Sequence, residues 1–260
     1  MIPVQAPVAQ QPSWQLAAQR RASFGTLLAV ELRKMTATVA DKILVIAGPL
    51  VLAPAALLFL SGSGRSLTTE HQLTPVFVTI RMAAVLMNVV LVKLIAAEWH
   101  YRSAQPTLLA QPSRLRYVLA QATIAMGSWL VIFGLQVLLV FAYYRNQLEA
   151  HDIEFLLGYR TGAILAAVAI GTFAMTLLAV TIGWLIPNTA GAITAYVLVS
   201  LLFGFLQTGK DYAGWVDPIE PARQLSGIAK HGPLALVTSL LLWLGLAGAG
   251  IWRAGTREAA

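Results

Sequence analysis

The sequence has no cysteine among its 260 residues, which excludes disulfides, thiolate metal sites and cysteine nucleophiles together. Charge is almost as scarce. Asp, Glu, Lys and Arg make up 11% of the chain, against roughly 25% in a soluble domain. Hydrophobic residues make up 58%, and mean hydropathy is +0.71. A chain so poor in charge cannot cover its surface in water, so lipid is its expected solvent. The formal charge of +7 does not point to nucleic acid, because in a membrane protein the placement of basic residues matters more than their sum.

Enzyme signatures are missing as well. His71, His100, His151 and His231 fall in predicted loops or at helix ends, without metalloprotease spacing. There is no G-x-S-x-G elbow and no G-x-x-x-x-G-K-[ST] phosphate loop. No catalytic residue, metal-ligand set or cofactor is therefore expected in this chain, which reads as a non-enzyme.

What the sequence does contain is six apolar stretches, near 43–61, 73–97, 117–143, 161–186, 190–207 and 234–252. Each is close to the roughly 20 residues needed to cross the hydrocarbon layer. Turn formers and most charges lie between them, as in Ser61 to Gly64, Asn146 to Glu154, Pro187-Asn188 and Gly209 to Gly232. Lipid-facing backbone must satisfy its own hydrogen bonds, so every span should be helical. The expectation is an all-α polytopic membrane protein, with a transmembrane domain over 41–253 and a short tail over 254–260.

Residues 1–22 have three prolines and no apolar core. They lack the basic start and apolar stretch of a signal peptide, and read as a disordered cytoplasmic tail. Over 23–40, Phe24, Leu27, Leu28, Met35 and Val39 recur at helical spacing, with Glu31, Arg33 and Lys34 opposite them. That pattern predicts an amphipathic helix on the membrane surface. With both termini cytoplasmic, ten Lys and Arg lie inside and six outside, as the positive-inside rule favours. A multi-pass protein of the cell membrane is the resulting expectation, with the bilayer as partner and no nucleic acid.

Polar residues within spans are costly. Arg81, Asn88 and Lys93 all fall in the second stretch. They read either as snorkelling or structurally paired groups or as the lining of a polar pathway. Pro49 and Pro54 predict a kink in the first span. Gly162, Ala166, Gly171 and Ala174 in the fourth span, and Gly245, Gly248 and Gly250 in the sixth, predict close helix packing.

The connection from Glu98 to Arg116 is too polar to span. Pro106 and Pro112 bracket Thr107-Leu108-Leu109-Ala110, with Arg102, Arg114 and Arg116 around them. A short helix with an exposed Leu-Leu face would make a docking knob; an ordinary basic loop held by lipid headgroups is the alternative. Glu98, Thr107-Leu108, Pro112 and Arg114 at this spacing resemble the permease subunit of ABC-type exporters of the type-two class. Three further stretches fit: Glu31 to Lys34 before the first span, Pro187 to Ala192 between the fourth and fifth, and Asp217 to Ala222 before the sixth. Arg102-Ser103 and Gln121 depart from the usual pattern, which has Gly-Thr and lysine there.

The resemblance implies a pathway formed by two permease halves, as a homodimer or with a related permease. Separate ATP-binding cassette subunits, holding ATP and magnesium, would dock beneath. It implies a coupling helix between the second and third spans, with Trp99, Arg102, Thr107, Leu108, Leu109, Pro112 and Arg114 as the docking element. Glu31, Arg33 and Lys34 would lie beside it, and Glu98 would act as hinge or cap. Short re-entrant helices over 208–232, with Trp215, Pro218 and Pro221, would narrow the outer exit. The cargo is not legible: a small amphiphile, drug, antimicrobial peptide or lipid all fit. An ion-coupled transporter and a non-transporting scaffold are the rival readings.

Overall fold

A computed structural model of the protein describes residues 23–61, 69–101, 114–151, 156–206, 214–229 and 231–256. Among these, every regular element is helical: α1 (Phe24–Met35), α2 (Val39–Ser61), α3 (Thr69–His100), α4 (Arg114–His151), α5 (Leu156–Leu185), α6 (Thr189–Leu206), α7 (Glu220–Ser226) and α8 (Pro233–Thr256). Four carry stretches long and apolar enough to cross a membrane: Leu73–His100, Leu115–Ala142, Thr161–Leu185 and Pro233–Thr256. The apolar part of α6, Thr189–Phe205, is shorter. The tails over 1–22 and 257–260, and the connection 102–113 with Arg102, Thr107, Leu108, Leu109 and Pro112, lie outside the described residues.

Local chemistry sets the helix ends. Ser23 caps α1 by accepting a hydrogen bond from the Thr26 amide at 3.2 Å, the usual work of a serine N-cap. Arg33 and Lys34 occupy the last turn of α1, where cations suit the negative end of the helix dipole. Thr38 and Asp41 form a reciprocal capping box at the start of α2. The Asp41 amide donates to Thr38 Oγ1 at 3.1 Å, and the Thr38 amide donates to Asp41 Oδ2 at 3.2 Å. This box ends one helix and starts the next, and α1 and α2 meet at 86° across it. α2 continues through Pro49 and Pro54. The turn expected from Asn146 is instead the last part of α4, which continues to His151. Its Tyr143–His151 end therefore adds about 13 Å of helix beyond the apolar stretch.

Cross-helix contacts fix the directions. Gly48 of α2 packs on Leu86 and Met87, while Asp41 pairs with Lys93, so α2 and α3 are antiparallel. Tyr117 meets Glu98, and Gln136 meets Thr79, so α4 also opposes α3. α5 runs parallel to α3, with Gly171 against Ile80 and Gly183 against Ile95. α6 opposes α3, with Tyr196 at Ala84 and Phe203 at Arg81. α8 runs with α5, placing Gly250 on Trp184. The starts of α2, α4 and α6 and the ends of α3, α5 and α8 thus share one end of the bundle.

α3 is the hub, packed against α2, α4, α5 and α6. Its Phe77, Ile80 and Val92 share a buried cluster with Met175, Leu178 and Tyr196. Lipid supplies no hydrophobic drive between helices, so close approach and polar ties must hold such a bundle. The small-residue expectation holds at some positions only. A Cβ on Gly171 would lie 3.2 Å from Ile80, and one on Gly250 3.2 Å from Trp184, whereas Gly162, Gly245 and Gly248 have nothing within 4 Å. The tightest interhelical approach belongs to Gly183, 3.0 Å from Ile95 Cβ.

Candidate functional site

A chain of polar contacts crosses the shared end of the bundle. Lys34 donates to Glu31 at 2.7 Å and to Glu98. Tyr117 donates to Glu98 Oε2 at 2.8 Å, Gln121 donates to the Tyr117 hydroxyl at 2.8 Å, and Trp184 donates to Gln121 Oε1 at 3.1 Å. Four helices, α1, α3, α4 and α5, are tied in one line. Glu98 and Tyr117 stand on either side of the 102–113 connection, so its two anchor points are held together. Glu31 and Glu98 are each 2% exposed; burial pushes the Glu31 carboxyl above its ordinary value, Lys34 opposes this, and Glu98 adds to it.

The polar side of α1 was expected to face water. Glu31 instead faces protein and is buried, while Phe24, Val30 and Leu32 are exposed. A carboxylate next to a lysine can leave water at tolerable cost, whereas it could not do so alone. Arg33 remains exposed, and Trp99 packs partly buried on the cluster around Tyr117 and Trp184. Arg114 opens α4. Of the expected docking residues, the structure brings together Glu31 and Lys34, and joins them to Glu98, the expected hinge or cap.

Arg81 lies at the opposite end, 5% exposed, and forms a buried ion pair with Asp217. Asp217 belongs to the short stretch 214–219 before α7, whose carbonyls are tied to α8. Thr238 donates to Trp215 O at 2.9 Å, Trp243 to Val216 O at 2.8 Å and Ser239 to Asp217 O at 2.6 Å. Non-helical backbone at this depth needs such partners. Pro218 and Pro221 are buried and Trp215 is exposed; α7 packs on α5 and α8. Arg223 of α7 lies over the Phe77 ring at 5.8 Å.

Arg81 also lines a groove of about 520 Å³ between α2, α3 and α6, with Val51, Met82, Val85, Ser200 and Phe205. Nε and Nη1 of Arg81 are buried there without hydrogen-bond partners, and the Ser200 hydroxyl, beside Tyr196, makes no hydrogen bond of ordinary geometry. Asn88 is fully buried beside Tyr196, and neither atom of its amide makes a hydrogen bond of ordinary geometry. Lys93 is far from both, in a cleft beside α1. There it pairs with Asp41.

Sequence reasoning missed Tyr117, Gln121 and Trp184 as members of the polar chain, and Asp217 as the partner of Arg81. A buried tyrosine directly after Arg116, on an apolar helix, reads as core until its partner is known. No group of three or more His, Cys, Asp or Glu side chains suited to a metal occurs among the described residues. No protein-family model, curated protein or solved structure matches this chain.

Proposed function

We propose that this chain is the membrane-spanning permease subunit of an ATP-driven exporter of the type-two ABC class, with six passes and with ATP hydrolysis carried out on a separate subunit. The observation that carries the reading is the polar line from Glu31 and Lys34 through Glu98 and Tyr117 to Gln121 and Trp184. A permease driven from below needs its force-receiving segment joined rigidly to its spans. The line joins α1 and both flanks of the 102–113 connection to α3, α4 and α5. The 86° meeting of α1 and α2 suits a surface helix leading into a first pass. The alternating directions of α2, α3, α4, α5, α6 and α8 suit six passes with both chain ends on one side.

On this reading Arg102, Thr107, Leu108, Leu109, Pro112 and Arg114 receive the ATPase, with Arg33 beside them. The groove with Arg81 and Ser200 is half of a pathway completed by a second permease. Trp215, Pro218 and Pro221 border its outer end. Replacing Leu108 and Leu109 together with aspartate tests the docking role directly. Co-purification of an ATP-binding cassette subunit from detergent should fall about tenfold, the loss of roughly 1.4 kcal/mol of binding. Unchanged recovery would remove the docking assignment, and cargo movement driven by an ion gradient without any ATPase would favour the ion-coupled rival.

A further inference from the structure

Two cavities meet at the bend between α1 and α2, and their contrast carries an inference. The first, about 380 Å³, is lined by Lys34, Asp41, Lys93, Glu98 and Tyr101, among others. The second, about 420 Å³, is almost wholly apolar, with Leu44, Val45, Met87, Gly127 and Val131 in its wall. Met35 and Val90 line both, so the two adjoin at these side chains.

Their order along the helices matters. On α3 the charged cleft runs over Val90–Tyr101, at the helix end, and the apolar trough takes Met87 and Val90, further in. On α2 the cleft takes Asp41 and the trough takes Leu44 and Val45, again further in. Charge sits at the membrane-surface end and the apolar trough runs toward the interior, which is the polarity of a lipid molecule in one leaflet.

The charges of the cleft narrow the headgroup. A lysine ammonium carries three donors. Lys34 spends two of them, on Glu31 and Glu98, and Lys93 one, on Asp41. One N–H on Lys34 and two on Lys93 stay open to a phosphate, and both side chains keep about a third of their surface accessible, 28% and 32%. Asp41 and Glu98, 4% and 2% exposed, line the same cleft; each of their oxygens already accepts from Lys93, Thr38, Lys34 or Tyr117, and they would repel a headgroup of net negative charge. A headgroup with a phosphate for the lysines and an N–H-bearing ammonium for the remaining carboxylate lone pairs matches both signs of charge.

We propose that this composite cavity is a binding site for one zwitterionic aminophospholipid, phosphatidylethanolamine by chemistry, with its phosphate between Lys34 and Lys93 and an acyl chain in the trough. Choline fits less well because its methylated nitrogen has no N–H to donate, and phosphatidylglycerol offers no cation to the carboxylates. The site stands apart from the transport reading and would hold in a membrane protein of any function.

The full chain, delipidated in detergent, is titrated with phosphatidylethanolamine, phosphatidylcholine and phosphatidylglycerol of identical oleoyl chains and followed by native mass spectrometry. One phosphatidylethanolamine per chain should bind about tenfold tighter than either other lipid. Gly127→Leu fills the trough, and a Cβ at Gly127 has nothing within 4 Å, so the variant should fold and yet lose phosphatidylethanolamine about tenfold. The double variant Asp41→Asn, Lys93→Gln strands no buried charge and should lose the preference for phosphatidylethanolamine over phosphatidylcholine. Equal affinity for all three lipids overturns the proposal, as does undiminished binding to a folded Gly127→Leu. A site for a phosphate group alone would show the latter.

Discussion

Single residues decide how this bundle tolerates charge. Arg81 and Asp217 are a buried pair, with side chains 7% and 1% exposed, and neither could be left alone at that depth. Removing one partner of a buried pair typically costs about 3–5 kcal/mol, while replacing both with apolar groups costs far less. Asp217→Ala should therefore lower the detergent melting temperature sharply, and Arg81→Met with Asp217→Leu should recover most of the loss. Glu31 behaves differently. Its folded-state pKa lies above its ordinary value of 4.5 because it is buried, with Lys34 opposing and Glu98 reinforcing the shift. A carboxyl raised on folding costs stability when ionised, and that cost grows as pH rises through the folded pKa. Burial alone would lower the Lys34 pKa, but its hydrogen bonds to Glu31 and Glu98 hold it above 10.5, so its contribution is constant through the acid range. The melting temperature of Glu31→Gln relative to the wild type should accordingly rise as the pH is raised above about 4.5. A flat difference would place the carboxyl in water.

Among the elements, the parallel contact of α3 with α5 is the least forgiving. A Cβ on Gly183 would lie 3.0 Å from Ile95, and one on Gly171 would meet Ile80, Ile219 and Ala222. Gly183→Leu should destabilise by about 1–3 kcal/mol through overpacking. Gly245→Ala, in open space on α8, should gain about 0.5–1 kcal/mol through helix propensity alone. Melts of both variants in one detergent give the comparison. The helices themselves were legible in the sequence because an apolar run of some twenty residues has few alternatives: the expected 190–207 is α6, Thr189–Leu206, and the expected 73–97 lies within α3. The continuation of α4 to His151 was not legible, since Asn146 and Gln147 look like turn residues until a neighbouring turn of helix holds them. Nor were the glycine contacts. A stripe of small residues shows where helices can approach, and only the fold decides whether Gly183 or Gly245 is the one approached.

For the whole molecule, the polar pairings were the least legible feature, because they join residues far apart in sequence: Lys34 with Glu98 across 64 positions and Arg81 with Asp217 across 136. Composition tells that such charges need partners, not which ones. The lack of cysteine turns into an experimental advantage, since any cysteine introduced is the sole thiol. On the proposed reading of six passes with both ends cytoplasmic, Asn146→Cys should react with a membrane-impermeant maleimide in intact cells. Ser103→Cys should react only after permeabilisation. The reverse pattern would invert the orientation, and labelling of both from outside would break the count of passes.

α3 is held by charge at both of its ends. Arg81 is joined to Asp217 near one, and Lys93 to Asp41 and Glu98 to Lys34 near the other. Sliding α3 along its own axis by one helical turn, about 5.4 Å, would part all three pairs at once and leave Arg81, Asp217, Lys93, Asp41 and Glu98 without their ion-pair partners, while Lys34 keeps Glu31. α3 is thus pinned along its own axis by pairs whose other members lie on α1, on α2 and just before α7, and on the proposed reading a push arriving through α1 cannot be expressed as a one-turn slide of α3.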